Sequence, residues 1–454
     1  MKVLDRITDM PDDPRRKFAQ EVVRRLHENG HQALMAGGCV RDMLLGRKPA
    51  DYDVATSALP DQVRALFRRT IAVGASFGVI IVQGTPETGD IEVATFRSDG
   101  EYLDGRRPET VRFADPAEDA QRRDFTINGL FFDPIENRVV DYVGGQDDLR
   151  AGLLRAIGNP QDRFTEDKLR LLRAVRFAAK FDLKIEPATS QAIRSMAHAI
   201  HVVSVERIAQ EMRKMLPHAS RAEGLRMMRS TGLLHELLPE VEATFGVPQD
   251  KPAMPGGDLW LHTLKVLEHL PGEPDFPLAL AAVLHDVGKP CCLREEDDQR
   301  SFVGHEAVGA TMSEAICRRW KLSTAETDRV DWLVRHHQYL GSAMSLRQSK
   351  LKRIMAHPGI EDLIDLHEAD ALATDGDLTQ VDYCRYYLKE QPQGPIDPPM
   401  LFTGHDLARL GVKPGPIFKT VLDRVREAQL DRQIHDKAGA TELARAVLAE
   451  LSQS

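Results

Sequence analysis

Two groups of residues have the types and spacing to do chemistry. In the first third of the chain, Asp51-Tyr52-Asp53 puts two carboxylates on one face of a strand, because strand side chains alternate with a period of two. Such a pair suits phosphoryl or nucleotidyl transfer. Two divalent ions held a few ångströms apart activate an attacking 3′-hydroxyl and stabilise the departing pyrophosphate. A lone DxD is common on surfaces, but this one follows Gly37-Gly38-Cys39-Val40-Arg41-Asp42 and Gly46. Paired glycines let backbone N–H groups approach a phosphate closely, and Arg41 adds charge-assisted bonds. Glu92, in Ile91-Glu92-Val93-Ala94-Thr95-Phe96-Arg97, lies on another predicted strand as the third carboxylate.

The second group centres on His285-Asp286 in AAVLHDVGKP. Aspartate is a hard ligand and histidine a borderline one, so the pair suits a divalent ion. His262 precedes it; His305, the His336-His337 pair and Asp370 follow. One histidine alone would read as structural or surface; this ordered set in a helical segment reads as a metal site. Its ligands are His262, His285, Asp286, His305, His336 and Asp370, with His337 the open alternative to His336. Lys289 is placed to neutralise a substrate phosphate.

The elements that must position these groups are legible in outline. Gln32–Ala36, Val79–Gln83 and Ile91–Phe96 are short apolar or β-branched runs between Gly, Pro and Asp, which predicts strands. Asp61–Arg69 reads as a helix behind Pro60. From about Glu166 the pattern turns helical, and an arginine stripe (Arg173, Arg176) runs beside Leu169, Leu172, Val175 and Ala179. Helical periodicity continues through Ser204–Leu216 and Arg221–Leu234. Pro/Gly-rich breaks at Val247–Gly257 and Gln391–Pro399 separate it from helices over Leu259–Leu270, Pro277–Val287 and His405–Leu451.

The motifs carry a resemblance. GGCVRDMLLG followed by DYD resembles the signature of the polymerase-β-like nucleotidyltransferase superfamily. RRDFTINGL (Arg122–Leu130) and EDKLRLLRAVRF (Glu166–Phe177) resemble its class II branch, which holds bacterial and eukaryotic CCA-adding enzymes and bacterial poly(A) polymerases. The resemblance implies an α+β fold: a nucleotidyltransferase α/β head over residues 1–148, then an all-α neck and body over 149–246, an HD-type module over 258–390 and a tail over 400–454. It makes Asp51, Asp53 and Glu92 catalytic, with Mg²⁺ at Asp51 and Asp53. The nucleotide is expected on Gly37, Gly38, Arg41, Arg123, Asp124, Asn128, Arg173 and Arg176, with Arg123 and Asp124 at the sugar. Glu166, Asp167 and Arg170 are expected to read the base. Cytosine and adenine both offer an amino donor beside a ring acceptor, so one aspartate and one arginine pair with either. Uracil and guanine reverse that pattern and leave like groups facing each other. Asp167 and Arg170, three apart on a helix, share a face.

Arg97–Pro108, with Asp104, Arg106 and Arg107, resembles the flexible loop of CCA- and A-adding enzymes. The run LFTGHDL (Leu401–Leu407) with Gly411–Pro416 resembles the tail of bacterial CCA-adding enzymes, apart from Lys419 where a small residue is expected. The His/Asp order resembles the HD phosphohydrolases, including two-metal members. Implied partners are tRNA, CTP and ATP, and the implied activity is CCA addition with an HD phosphatase or 2′,3′-cyclic phosphodiesterase. Poly(A) or A-only addition is the alternative, and an HD phosphohydrolase with an RNA-binding head is the reading from another class. The HD metal and the choice between monomer and homodimer stay open.

Composition agrees. With 454 residues several domains are expected. The net charge is −9, yet Arg150–Arg229 carries a local excess of +8, which fits phosphate contact by the helical middle. Five scattered cysteines without CxxC spacing argue against a disulfide framework. No signal peptide or membrane-spanning run is read, and a cytoplasmic location with no membrane partner is expected.

Overall fold

The computed structural model describes residues 7, 12–74, 78–99, 111–249, 257–296, 299–390, 395–413 and 415–452. It divides into two compact units, Met1–Pro239 and Glu240–Ser454. The expected loop residues Asp104, Arg106 and Arg107 lie outside the described residues.

In the first unit a seven-stranded mixed sheet runs in the spatial order Thr70–Gly74, Val79–Val82, Ile91–Thr95, Asp53–Thr56, Ala33–Ala36, Leu130–Asp133, Arg138–Asp141. Within this sheet only Asp53–Thr56 and Ile91–Thr95 pair in parallel. Ala33–Ala36 and Leu130–Asp133 are interior strands, paired on both sides, and their composition fits that place: ALMA and LFFD, all eight residues buried. Leu34, Ala36, Ala55, Phe96, Ala120 and Phe131 form one core cluster against the sheet, in which Leu34, Phe96 and Phe131 each contribute roughly 1.5–3 kcal/mol if fully withdrawn from water. The helices that follow include Pro160–Glu166, Leu169–Phe181, Val205–Met215 and Arg221–Ser230. The expected single helix over Arg221–Leu234 is interrupted at Gly232, whose φ of +82° belongs to the left-handed region, and restarts at Leu233–Leu237.

The second unit is helical. Leu259–His269 and Phe276–Leu284 begin behind Asp258 and Asp275, whose side chains accept backbone N–H groups of the first turn. Phe276–Leu284 reads FPLALAAVL and only Pro277 escapes full burial; a helix apolar all round belongs inside a core. Three tail helices, Gly404–Arg409, Pro416–Leu430 and Lys437–Ser452, close on Leu407, Val421, Val425, Ala440, Ala444 and Val447. Lys419 is exposed, so a long cation is accommodated there. No helix among the described residues is long and apolar enough to cross a membrane.

Candidate active site and metal centre

The first site grows from the end of strand Ala33–Ala36. Gly37 has φ +72°, and a Cβ there would lie 2.8 Å from Arg123 Nη1. Only glycine fits both the backbone and the arginine. Helix Gly38–Leu44 begins immediately after it. The neighbouring strand begins at Asp53, not at Asp51 as the alternation argument assumed; Asp51 and Tyr52 precede it, outside the strand. The period of two still holds, because Tyr52 turns inward, 2% exposed, and its hydroxyl donates to Asp13 at 2.9 Å. That anchor leaves Asp51 and Asp53 on the opposite side, both lining one open cleft of about 730 Å³.

Glu92 is the register partner of Asp53 on the parallel strand and is exposed, but it is not on the cleft wall. Its charge is felt nonetheless. Burial, then the charges of Glu92 and Asp51, push the Asp53 carboxyl up to about 7, against Arg123. Three acids this close want a cation, and a divalent ion on Asp51 and Asp53 is the chemistry that fits. The sign gives a test. Because the folded pKa exceeds the ordinary 3.8, the carboxylate's penalty on the fold grows as pH rises from about 4 through 7. In protein stripped of divalent ions, Asp53→Asn should therefore raise stability above pH ~8 by about 1–2 kcal/mol and change little near pH ~4. Calorimetry in chelator reads this; a variant that melts lower than the parent at the alkaline end contradicts it.

The cleft wall also carries Gly37, Gly38, Arg41, Arg123, Asp124, Asn128, Asp167, Arg170, Arg173 and Arg176. A hydrogen-bonded chain links several of them. Arg41 donates to Asp42 and to the Asn128 amide oxygen; the Asn128 amide donates to Asp124 at 2.9 Å. Arg173 donates twice to Asp124, at 2.9 and 2.6 Å, and Arg176 donates to Glu211. Burial pushes the Asp124 carboxyl up, but Arg173 and Asn128 outweigh it and hold it at about 2. Asp124 is thus a permanent anion that fixes Arg173, a positioning task in addition to the sugar contact expected of it. Arg41 and Arg176 lie 4.1 Å over the stacked rings of Phe181 and Phe177, cation–π contacts that order both guanidinium groups.

The segment expected to read the base differs from expectation in two respects. Helix periodicity runs through Asp167, but the chain breaks there: Asp167 has φ −142°, ψ 105°, between Pro160–Glu166 and Leu169–Phe181. Asp167 and Arg170 share the cleft because of that break, not because they share a helix face. Asp167 accepts from Leu169 N at 3.1 Å and from Arg207 at 2.8 Å. Arg170 donates to Glu166 at 2.6 Å and to the carbonyls of Arg163 and Arg122. Glu166 is not on the cleft wall; its carboxylate holds Arg163 and Arg170 from behind. Its expected base-reading place is corrected to one of support, since a carboxylate shared by two guanidinium groups has little left to offer a base. Arg207, which sequence reasoning missed, sits in RIAQEMRKM with no local signal tying it to Asp167.

The second site gathers in two groups, His262–His285–Asp370 and Asp286–His305–His337, each with ligand atoms within 4.8 Å of one another. Asp286 stands between them. Its Oδ2 lies 3.3 Å from His285 Nε2 and 3.7 Å from His262 Nε2; its Oδ1 lies 3.4 Å from His305 Nε2 and 3.5 Å from His337 Nε2. His262 Nε2 is 3.0 Å from Asp370. Ligand atoms about 2.1 Å from a tetrahedral ion stand about 3.4 Å apart, so this spacing fits two ions sharing Asp286. The tautomers agree. His285, His305 and His337 each point Nδ1 at a backbone carbonyl (Ala282, Phe302, Val334) at 2.7–2.8 Å. An Nδ1–H bond of this kind turns the Nε2 lone pair inward. Asp286 Oδ1 is buried without a hydrogen-bond partner, as an atom meant for an ion would be.

Here His336 is corrected to His337. Successive residues at a helix end point about 100° apart, and His336 turns away: its Nδ1 donates to the Trp332 carbonyl at 2.8 Å and its ring leans on Trp332. Lys289 does not face open space for a phosphate either. It is 4% exposed and donates to Asp286 Oδ2 at 2.6 Å. Gly288, between Val287 and Lys289, is required by close packing: a Cβ there would sit 2.3 Å from the His305 carbonyl.

Comparison with known proteins follows this geometry. Residues 33–155 match the model of the poly A polymerase head domain. Residues 182–245 match the probable RNA and SrmB-binding site of polymerase A, and 260–375 the HD domain. Poly(A) polymerase I of Salmonella typhi is 42% identical over 238 residues, 50% of this chain and 51% of its own. The CCA-adding enzyme of Bacillus velezensis is 44% identical over 220 residues, 48% of this chain and 55% of its own. The chain thus spans about half the length of these relatives. The CCA-adding enzyme of Limosilactobacillus reuteri is 31% identical over 429 residues, 92% of this chain and 94% of that one. Among solved structures, the Bacillus stearothermophilus CCA-adding enzyme in complex with CTP superposes with a TM-score of 0.71 at 25% identity, covering 98% of this chain and all of that one. With a full-length relative and three family models matched in order, this chain belongs to the family of bacterial CCA-adding enzymes and poly(A) polymerases.

Proposed function

We propose that the chain adds CCA to the 3′ end of tRNA from CTP and ATP, with no nucleic-acid template. The observation that carries this is one cleft holding both the carboxylates of transfer, Asp51 and Asp53, and the base-reading pair, Asp167 and Arg170. Mg²⁺ on the two aspartates would activate the tRNA 3′-hydroxyl and stabilise pyrophosphate as it leaves the α-phosphorus. The turn at Gly37-Gly38 presents backbone N–H groups to the triphosphate. Asp167 accepts from the amino group of cytosine or adenine and Arg170 donates to the adjacent ring nitrogen. Arg207 and Glu166 hold that pair in register, so one site reads both bases.

CCA addition is favoured over poly(A) addition by the likeness to a CCA-adding enzyme over 92% of this chain; the poly(A) polymerase likeness covers half the chain and supports the second reading. A sequencing gel decides. On tRNA transcripts ending before the first C, after CC and after CCA, the expected result is C, C, A and then a stop. A long ladder from ATP on any end would replace this reading with poly(A) addition, and A on the CC end alone with A-addition. Arg170→Ala should lower the preference for CTP and ATP over UTP and GTP by about tenfold or more; an unchanged preference in competition assays would remove Arg170 from base reading.

The second site fits a phosphohydrolase with two divalent ions held by His262, His285, Asp370, Asp286, His305 and His337. Hydrolysis of 2′-phosphate or 2′,3′-cyclic phosphate ends would clear a tRNA for extension.

A further inference from the structure

The second unit holds another pocket, of about 310 Å³, that neither metal group uses. Trp332, His336 and Tyr339, from helix Thr324–His336 and the turn after it, make one wall. Lys350, Arg353 and His357, on and just past helix Gln348–Met355, make the other. Glu427 of the tail stands at the rim, 4.0 Å from Arg353.

The walls are aromatic and ordered. The Trp332 and His357 rings stack with centroids 3.7 Å apart and an angle of 10°, and His336 leans on Trp332 at 5.1 Å and 33°. Tyr339 meets His336 edge-on at 6.1 Å. His357 Nδ1 accepts the Gly359 N–H at 3.0 Å, which leaves its proton on Nε2. Burial, then Arg329 and His336, lower the His357 pKa, so the ring is neutral and stacks without a charge of its own at neutral pH. The stack is also the accessible indole of the chain. Of the three tryptophans, Trp260 is 4% and Trp320 2% exposed, while Trp332 is only half-buried. Lys350 and Arg353, three residues apart, share a helix face and are exposed. Two cations against one carboxylate give the pocket a positive balance.

Flat aromatic faces beside cations are how proteins hold a nucleobase and its phosphate without reading sequence. The volume is at the low end for small-ligand sites and suits one nucleotide rather than several. We infer that this pocket binds a nucleotide, its base against the His336 and Tyr339 rings at the edge of the Trp332–His357 stack and its phosphate on Lys350 and Arg353. That nucleotide is either free or part of an RNA strand; the second case rests on the proposed function. The site is separate from the metal groups, because His336 and His337 leave the helix end in different directions.

Trp332 makes the test direct, since all three tryptophans belong to the second unit and the nucleotide cleft of the first has none. Fluorescence of the intact chain, excited at the red edge of tryptophan absorption, is titrated with AMP, with inorganic phosphate, and with a tRNA transcript lacking CCA. Saturable quenching by AMP or by the transcript, and not by phosphate, is expected. It should vanish in Trp332→Phe and weaken about tenfold or more in Lys350→Glu/Arg353→Glu, two exposed positions where folding is not at stake. Quenching by the transcript that AMP displaces identifies a nucleotide of an RNA strand; quenching by AMP alone identifies a free nucleotide. No saturable quenching with either, or quenching unchanged in the double variant, overturns the inference. The measurement requires no nucleotide transfer. Normal CCA incorporation without quenching overturns this inference alone, and quenching in a chain that incorporates nothing overturns only the proposed function.

Discussion

Asp53→Asn abolishes nucleotide incorporation while tRNA binding stays within about twofold of the parent. The expected loss is a thousandfold or more, about 4 kcal/mol of barrier. Asparagine keeps the shape of the side chain at the start of strand Asp53–Thr56 and removes only its charge. The strand register, the Tyr52 anchor and the Gly37 turn are left as they are. A structural role would appear as lost stability, and the raised Asp53 pKa predicts the reverse in metal-free protein. Primer extension with a filter-binding control reads both quantities. Incorporation retained within tenfold would remove Asp53 from the chemistry.

The second large effect is at Asp286, which faces both histidine groups. The parent should bind two divalent ions per chain at this centre, and Asp286→Asn should bind neither tightly. Lys289 is buried against the same carboxylate. Leaving it unpaired costs roughly 3–5 kcal/mol, so the substitution is paired with Lys289→Gln. His337→Ala should weaken one group, and His336→Ala should leave both intact, because His336 points at Trp332. Elemental analysis after dialysis counts the ions, and hydrolysis of a chromogenic phosphate monoester follows activity. CCA incorporation should be unchanged throughout. Two ions retained by the Asp286 variant, or none lost in His337→Ala while His336→Ala loses one, would refute the arrangement.

Much of the site was readable because it is local. Gly37-Gly38 and Asp51-Tyr52-Asp53 each span only a few residues, and a period of two or a positive-φ turn is a property of short chain segments. The step from Asp53 to Glu92 was also accessible, since two predicted strands with acids near their starts invite pairing. The break at Asp167 was not. Apolar positions at helical spacing continue on both sides of it, and the periodicity averages over a single extended residue. What holds Asp167 there is Arg207, forty residues away, and what holds Arg170 includes the Arg122 carbonyl. Such partners are chosen by how helices Leu169–Phe181 and Val205–Met215 pack, and no local spacing encodes that.

The histidine site divides in the same way. The order of His262, His285-Asp286, His305, the His336-His337 pair and Asp370 pointed to a metal centre from residue types alone. Whether His336 or His337 is the ligand depended on the rotation of helix Thr324–His336 about its axis, which is fixed by burial of Val330, Leu333 and Val334. The charge of Lys289 was legible and its partner was not, because burial beside Asp286 follows from close contact between Gly288 and the helix starting at His305. By itself the sequence determined which chemical groups are present, their order, and the local turns and alternation that present them. The tertiary structure decided which groups meet, since hydrogen bonds and ion pairs between distant segments form only where packing of the apolar faces brings them within about 3 Å.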